Sequence, residues 1–163
     1  MEQLIKINST KNISNTTPGQ NELEDCSKSN VKITLIDPTY TQQQISSEAM
    51  PSPIGGIAVN TEQLLKLKNP IQLFKFPEEF VKSIEEEMPD IIGFSNYVWN
   101  FQLSLSLAKA IKKVNPEIIT IMGGPNYPIS PEEKGKFLEK YKEIDFYVAG
   151  EGETAFTNLI SIL

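Results

Sequence analysis

Four short stretches hold most of the residues able to do chemistry: Asp37-Pro38-Thr39, Ser95-Asn96-Tyr97-Val98-Trp99, Gly123-Gly124-Pro125 and Gly150-Glu151-Gly152-Glu153. The second offers a hydroxyl, an amide and two aromatic faces, one of them the single Trp of the chain. Such a set suits contact with a ligand, although Tyr97 and Trp99 could equally serve to cover a sheet edge. Gly123 and Gly124 place two residues without side chains directly after an apolar run. Backbone there can approach a bulky or elongated ligand, although glycine pairs also make ordinary tight turns. Gly150 and Gly152 allow a turn before a helix, and Glu151 or Glu153 can cap that helix or accept hydrogen bonds from a ligand. No Lys-Ser/Thr follows and the two carboxylates would repel phosphate, so this is not a phosphate loop. Asp37-Pro38-Thr39 stands where a dinucleotide fingerprint would be, which argues against NAD and FAD. A phosphotransfer receiver is also disfavoured: its acidic cluster is reduced to Asp37, and Gly150 replaces its Lys.

The totals narrow the classes further. The chain has 163 residues, room for one domain and a tail, and a net charge of −6 that disfavours nucleic acid and anionic membranes as partners. It has no His, which removes the commonest general base and metal ligand. The one cysteine, Cys26, excludes an internal disulfide framework or a Cys-based cluster within the sequence. No apolar run approaches the ~20 residues needed to span a membrane, and the N-terminus lacks the apolar centre of a signal peptide. A cytoplasmic protein is the expectation. Residues 1–30 are rich in Asn, Ser, Thr and Gln and read as a disordered polar tail; residues 31–163 read as one domain.

The elements that position these stretches alternate. Apolar runs at 31–37, 71–76, 91–94, 118–122 and 144–149 read as short strands. The run at 91–94, led in by Pro89 and ended by polar residues, is the pattern of a strand buried on both faces of a parallel sheet. Helices are expected over 57–68, after Pro77, over 101–114, over 131–141 and at the end of the chain. The segment 39–54 is expected to be a long loop. In the helix at 101–114 the expected buried stripe is Leu103, Leu107, Ala110, Ile111 and Val114. This alternation predicts an α/β fold: a doubly wound, five-stranded parallel sheet, Rossmann-like or flavodoxin-like, of order 2-1-3-4-5. In such a sheet the loops after the strands line the ligand crevice, and the pieces expected to face a ligand are Asp37–Tyr40, Ser95–Asn100, Gly123–Asn126 and Gly150–Glu153.

At that point the residues carry a resemblance. Ser95-x-Tyr97 followed after residues 98–122 by Gly123-Gly124 resembles part of the cobalamin-binding domain signature. Pro-Asp-Ile-Ile-Gly-Phe-Ser, Met-Gly-Gly-Pro and Asp-Phe-Tyr-Val-Ala-Gly-Glu-Gly-Glu, in that order, resemble the N-terminal domain of cobalamin-binding radical S-adenosylmethionine proteins. The similarity runs over 31–163. It implies cobalamin as cofactor, with its nucleotide tail slotted into the fold past Ser95, Gly123 and Gly124. It also implies that Tyr97, Val98 and Trp99 pack under or beside the corrin ring. Asp37, Thr39, Asn96, Pro125, Gly150, Glu151, Gly152 and Glu153 complete the expected binding set.

The sequence departs from the family in two ways. The signature's His, the lower cobalt ligand, is replaced in an Asp37-Pro38-Thr39 context without any His. The Cys-x-x-x-Cys-x-x-Cys motif of the radical domain is absent as well, so no iron–sulfur cluster is expected in this chain. The resulting expectation is a stand-alone or truncated cobalamin-binding domain without independent catalysis, which presents its cofactor to a radical S-adenosylmethionine subunit. The competing readings are a degenerate α/β interaction domain that has lost its ligand and, lower, an enzyme using Glu151 or Glu153 as base.

Overall fold

The apolar run Ile91, Ile92 and Phe94 is too short for a helix of its own, and in the computed structural model it builds the middle of a sheet. The structure describes residues 5–6, 30–41 and 51–163. The elements in chain order are β1 (Ile5–Lys6), β2 (Ile33–Ile36), α1 (Ser52–Leu65), β3 (Gln72–Phe74), α2 (Pro77–Glu86), β4 (Ile91–Ser95), α3 (Phe101–Val114), β5 (Ile119–Gly123), α4 (Pro131–Lys140), β6 (Phe146–Val148) and α5 (Gly152–Ile162). The sheet runs β1-β6-β5-β4-β2-β3. From β3 to β6 every pairing is parallel, which is the expected order 2-1-3-4-5 of the five predicted strands. The register sets Gly93 between Leu35 and Ile121, and Ser95 opposite Gly123. Of residues 1–30, the described ones are Asn30 and Ile5–Lys6; the latter add an antiparallel strand on the outer edge of β6. The rest of the expected tail lies outside the described residues.

Alternate residues of the strands feed two cores. Ile33, Leu35, Ile121 and Val148 pack with Ile54, Leu65, Phe156 and Leu159 of α1 and α5. Ile36, Ile92, Phe94, Met122 and Tyr147 pack with Phe80, Leu105, Ile111 and Leu138 on the opposite face. Helices α1 and α5 lie against each other, with the buried Thr61 and Thr157 hydroxyls 2.9 Å apart across the seam. Among the described residues, no helix is long and apolar enough to cross a membrane.

Two expectations about helices need correction. Helix α1 starts at Ser52, not near 57, because Pro53 sits in its first turn, where a missing N–H costs nothing. Its buried residues are Ile54, Ala58, Thr61 and Leu65, while Leu64 is exposed. In α3 the buried stripe is Ser104, Leu105, Ala108 and Ile111; Ala110 and Val114 face water. The helix is rotated because the Ser104 hydroxyl donates to the Ser95 carbonyl at 2.9 Å, which turns a small polar side chain inward. That bond fastens α3 to the end of β4, where the polar-aromatic loop begins.

Candidate functional site

A cavity of about 350 Å³ opens at the carboxyl ends of β2, β4, β5 and β6. It lies on the α1/α5 face of the sheet. Leu35, Gly93, Ile121, Gly123 and Val148 form its floor, and Ile54 and Ile57 of α1 and Phe156 of α5 form its walls. Ser95, Tyr97, Gly124, Pro125, Gly150 and Glu153 stand at its rim. Missing side chains create it. At Gly123, in β5, a Cβ would make ordinary contacts with Val148, at 3.4 and 3.5 Å, so close packing does not demand glycine there; the absent side chain leaves room. Gly93 and Gly152 differ, since a Cβ would lie 2.5 Å from Leu35 and 2.8 Å from Ile57. The volume is at the lower end of the about 300–1,000 Å³ of small-molecule sites. It is a slot for a slender portion of a ligand, with apolar walls and a few polar groups at the mouth.

The mouth is organised by a hydrogen-bonded cluster. Ser95 Oγ donates to Asp37 Oδ1 at 2.5 Å. Asn100 Nδ2 donates to the same Asp37 oxygen at 3.0 Å and to Ser95 Oγ at 2.8 Å. Asn100 Oδ1 accepts the Tyr97 backbone N–H at 2.8 Å, which fixes the orientation of the amide. Asn100 is fully buried and Ser95 nearly so. Asp37 thus acts on the slot through Ser95.

A second cluster lies behind the rim. The Asn96 N–H donates to the Gly123 carbonyl at 2.6 Å, and Asn96 Nδ2 reaches the Asn126 carbonyl at 2.7 Å and Tyr147 Oη at 2.9 Å. Asn126 Nδ2 returns a bond to Asn96 Oδ1 at 3.0 Å, and Tyr147 Oη donates to the Gly124 carbonyl at 2.8 Å. Gly124 has φ +135°, and a Cβ there would overlap the Asn96 carbonyl oxygen. Only glycine fits, for backbone reasons as well as for closeness. Burial pushes the Tyr147 phenol well above its ordinary pKa, with the Asn96 bond pulling the other way.

Outside the slot, Tyr97 and Trp99 stack on each other with centroids 4.5 Å apart and planes 7° from parallel. Burial, then the nearby Asp37 carboxylate, raises the Tyr97 phenol pKa. Trp99 is 68% and Val98 81% exposed, so an apolar platform faces solvent beside the slot.

Of the expected binding residues, Ser95, Tyr97, Gly123, Gly124, Pro125, Gly150, Gly152 and Glu153 line the slot. Val98 and Trp99 form the platform. Asn96 is buried behind the rim, and Thr39 is tied by its N–H to the Lys75 carbonyl at 3.2 Å. Glu151 occupies the N-cap position of α5 without a side-chain cap bond. Sequence reasoning missed Ile54, Ile57, Val148 and Phe156 as lining residues. Pro53 and Ile54 were hidden because the start of α1 reads as loop. Asn100 fell in the stretch expected to face a ligand, and its amide holds that loop.

A doubly wound sheet with a glycine-lined slot at its carboxyl edge defines a ligand-binding α/β module. The chain belongs to the B12 binding domain family, whose model matches residues 54–160. It is 36% identical over 94 residues to the cobalamin-dependent radical SAM methyltransferase TokK of Streptomyces tokunonensis, covering 58% of this chain and 13% of that protein. It is 34% identical over 93 residues to the 2-(S-pantetheinyl)-carbapenam-3-carboxylate methyltransferase of Streptantibioticus cattleyicolor, covering 57% and 13%. An uncharacterised methyltransferase of Pyrococcus horikoshii is 31% identical over 85 residues, covering 52% and 18%. The matched region is thus a small fraction of each relative's length.

Proposed function

We propose that this chain holds a cobalamin with the nucleotide tail in the slot and the macrocycle over the carboxyl edge of the sheet, and presents it to a radical S-adenosylmethionine partner. The observation that carries the reading is the slot itself. Its floor lacks side chains at Gly93 and Gly123, its walls are apolar, and it opens beside the Tyr97–Trp99 platform. A volume near 350 Å³ suits the tail and excludes the macrocycle, which then has the exposed rings of the platform to rest on. Bound cobalamin supplies a cobalt centre able to carry a methyl group.

The chain's own residues bind and orient. Gly123 leaves the slot open, Ser95 offers its remaining lone pair at the mouth, and Gly150 and Gly152 let the chain turn into α5 without closing the rim. The sequence contains no His, so no imidazole of this sequence reaches the cobalt. Its single thiol, Cys26, lies outside the described residues and cannot supply the several thiolates of a cluster. A radical cluster would therefore be supplied from outside residues 1–163. An electron paramagnetic resonance spectrum of the cob(II)alamin-loaded chain tests the arrangement. No nitrogen superhyperfine splitting is expected with the tail withdrawn from cobalt. A clear single-nitrogen splitting would show the cofactor keeping its own base, and the tail-in-slot reading would fail.

A further inference from the structure

Tyr147 lies on the sheet face away from the slot, yet its hydroxyl reaches the turn that forms the rim. The phenol donates to the Gly124 carbonyl at 2.8 Å and accepts from Asn96 Nδ2 at 2.9 Å. Its ring is held by Tyr127, stacked at 3.7 Å between centroids and 9° from parallel. We propose that Tyr147, Asn96 and Asn126 form a positioning latch that holds the Gly123-Gly124 turn back from the slot, so that the slot stands open before its ligand arrives. The inference rests on the reading that the slot takes the corrinoid tail.

Two successive glycines beside a cavity are the part of the rim with most backbone freedom, and left alone they would sample conformations that fill it. The latch removes that freedom by committing the polar groups of Asn96 and the Tyr147 hydroxyl. Both Asn96 Nδ2 protons are committed, to the Asn126 carbonyl and to Tyr147 Oη, and its Oδ1 accepts from Asn126 Nδ2. The Asn126 N–H donates to the Asn96 carbonyl at 3.2 Å, so the two loops are joined through main chain and side chain together. Asn96 and Tyr147 are at most 1% exposed, so a broken bond is not replaced by water without reorganisation. Gly124 fits this arrangement, since its φ of +135° suits glycine and a Cβ there would overlap the Asn96 carbonyl.

Tyr147→Phe keeps the ring stack and deletes the tie to Gly124 together with the bond from Asn96 Nδ2. In this variant the dissociation constant for hydroxocobalamin, read by absorbance titration, should rise about tenfold. Tyr127→Phe is the control: it deletes a phenol from the same stack, one bonded to the Lys134 carbonyl at 3.4 Å and not to the turn. Its dissociation constant should stay within about twofold of the parent. Asn126→Ala, at a half-buried loop residue, deletes the side-chain bond to Asn96 Oδ1 without touching the core and should weaken binding in the same direction even if Tyr147→Phe folds poorly. A ligand-free readout separates this inference from the corrinoid reading. Amide hydrogen exchange at Gly124 and Asn126 should speed up about tenfold in Tyr147→Phe, with β4 amides unchanged. Unchanged exchange, or equal loss of affinity in the Tyr147 and Tyr127 variants, overturns the latch. Faster exchange in a chain that never binds hydroxocobalamin upholds the latch and removes the corrinoid reading.

Discussion

Gly123→Val should separate the slot from the fold. The residue sits in β5 on the same face as Ile121, and its Cβ would meet only Val148 O at 3.4 Å and Val148 Cβ at 3.5 Å. Those are ordinary contacts. Glycine inside a strand is destabilising by roughly 0.5–1 kcal/mol relative to Ala, and a β-branched residue suits a strand, so the variant should be as stable as the parent or slightly more so. At 2–4 °C per kcal/mol for a chain of about this size, the melting temperature should move by no more than about 4 °C. The branched carbons then project into a cavity of about 350 Å³ and compete with whatever occupies it. Overpacking of this kind costs about 1–3 kcal/mol, or roughly 5- to 150-fold in the dissociation constant for hydroxocobalamin. Gly124→Ala should do the reverse, since its φ of +135° and the Asn96 carbonyl make any side chain costly to folding. Thermal melts and absorbance titrations on both variants decide the matter. A Gly123→Val chain that binds as well as the parent would refute the placement of the tail.

Three further outcomes follow from the same geometry. Asp37→Ala leaves the Ser95 and Asn100 donors without their shared acceptor, and urea unfolding should show a loss of about 1–3 kcal/mol; no loss would mean that water replaces the carboxylate. Trp99, the single Trp and 68% exposed beside the slot, should lose most of its fluorescence as hydroxocobalamin is added, and unchanged emission would place the macrocycle elsewhere. Burial raises the Tyr147 phenol pKa in the folded chain, so its neutral form favours folding: stability is complete below about pH 10 and declines as pH climbs past the ordinary phenol value. Alkaline melts should show a smaller decline in Tyr147→Phe, and identical profiles would contradict the assignment.

The strands of this protein were legible because a parallel sheet covered on both faces needs unbroken apolar runs, and Ile91–Ser95 and Ile119–Gly123 are such runs closed by polar or glycine residues. Glycines 123, 124, 150 and 152 were legible for the same reason: they stand at or shortly after strand ends. What could not be read was tertiary. Asn96 and Asn100 look alike in a loop, yet one bonds Tyr147, 51 residues on, and the other Asp37, 63 residues back. The stripe of α3 was misread because Ser104, polar by type, is drawn inward by the Ser95 carbonyl. The walls contributed by α1 were hidden by Pro53 and Gly55-Gly56, residues that usually mark a loop. Here they fit a first turn and a close approach, with the Glu153 carboxylate 3.1 Å from where a Gly56 Cβ would stand.

The most direct test of the account is whether the purified chain retains a corrinoid. Incubated with hydroxocobalamin and passed through gel filtration, it should carry corrin absorbance in the protein peak at about one equivalent, with Gly123→Val carrying markedly less. Corrin absorbance recovered wholly in the small-molecule fraction would contradict the central claim.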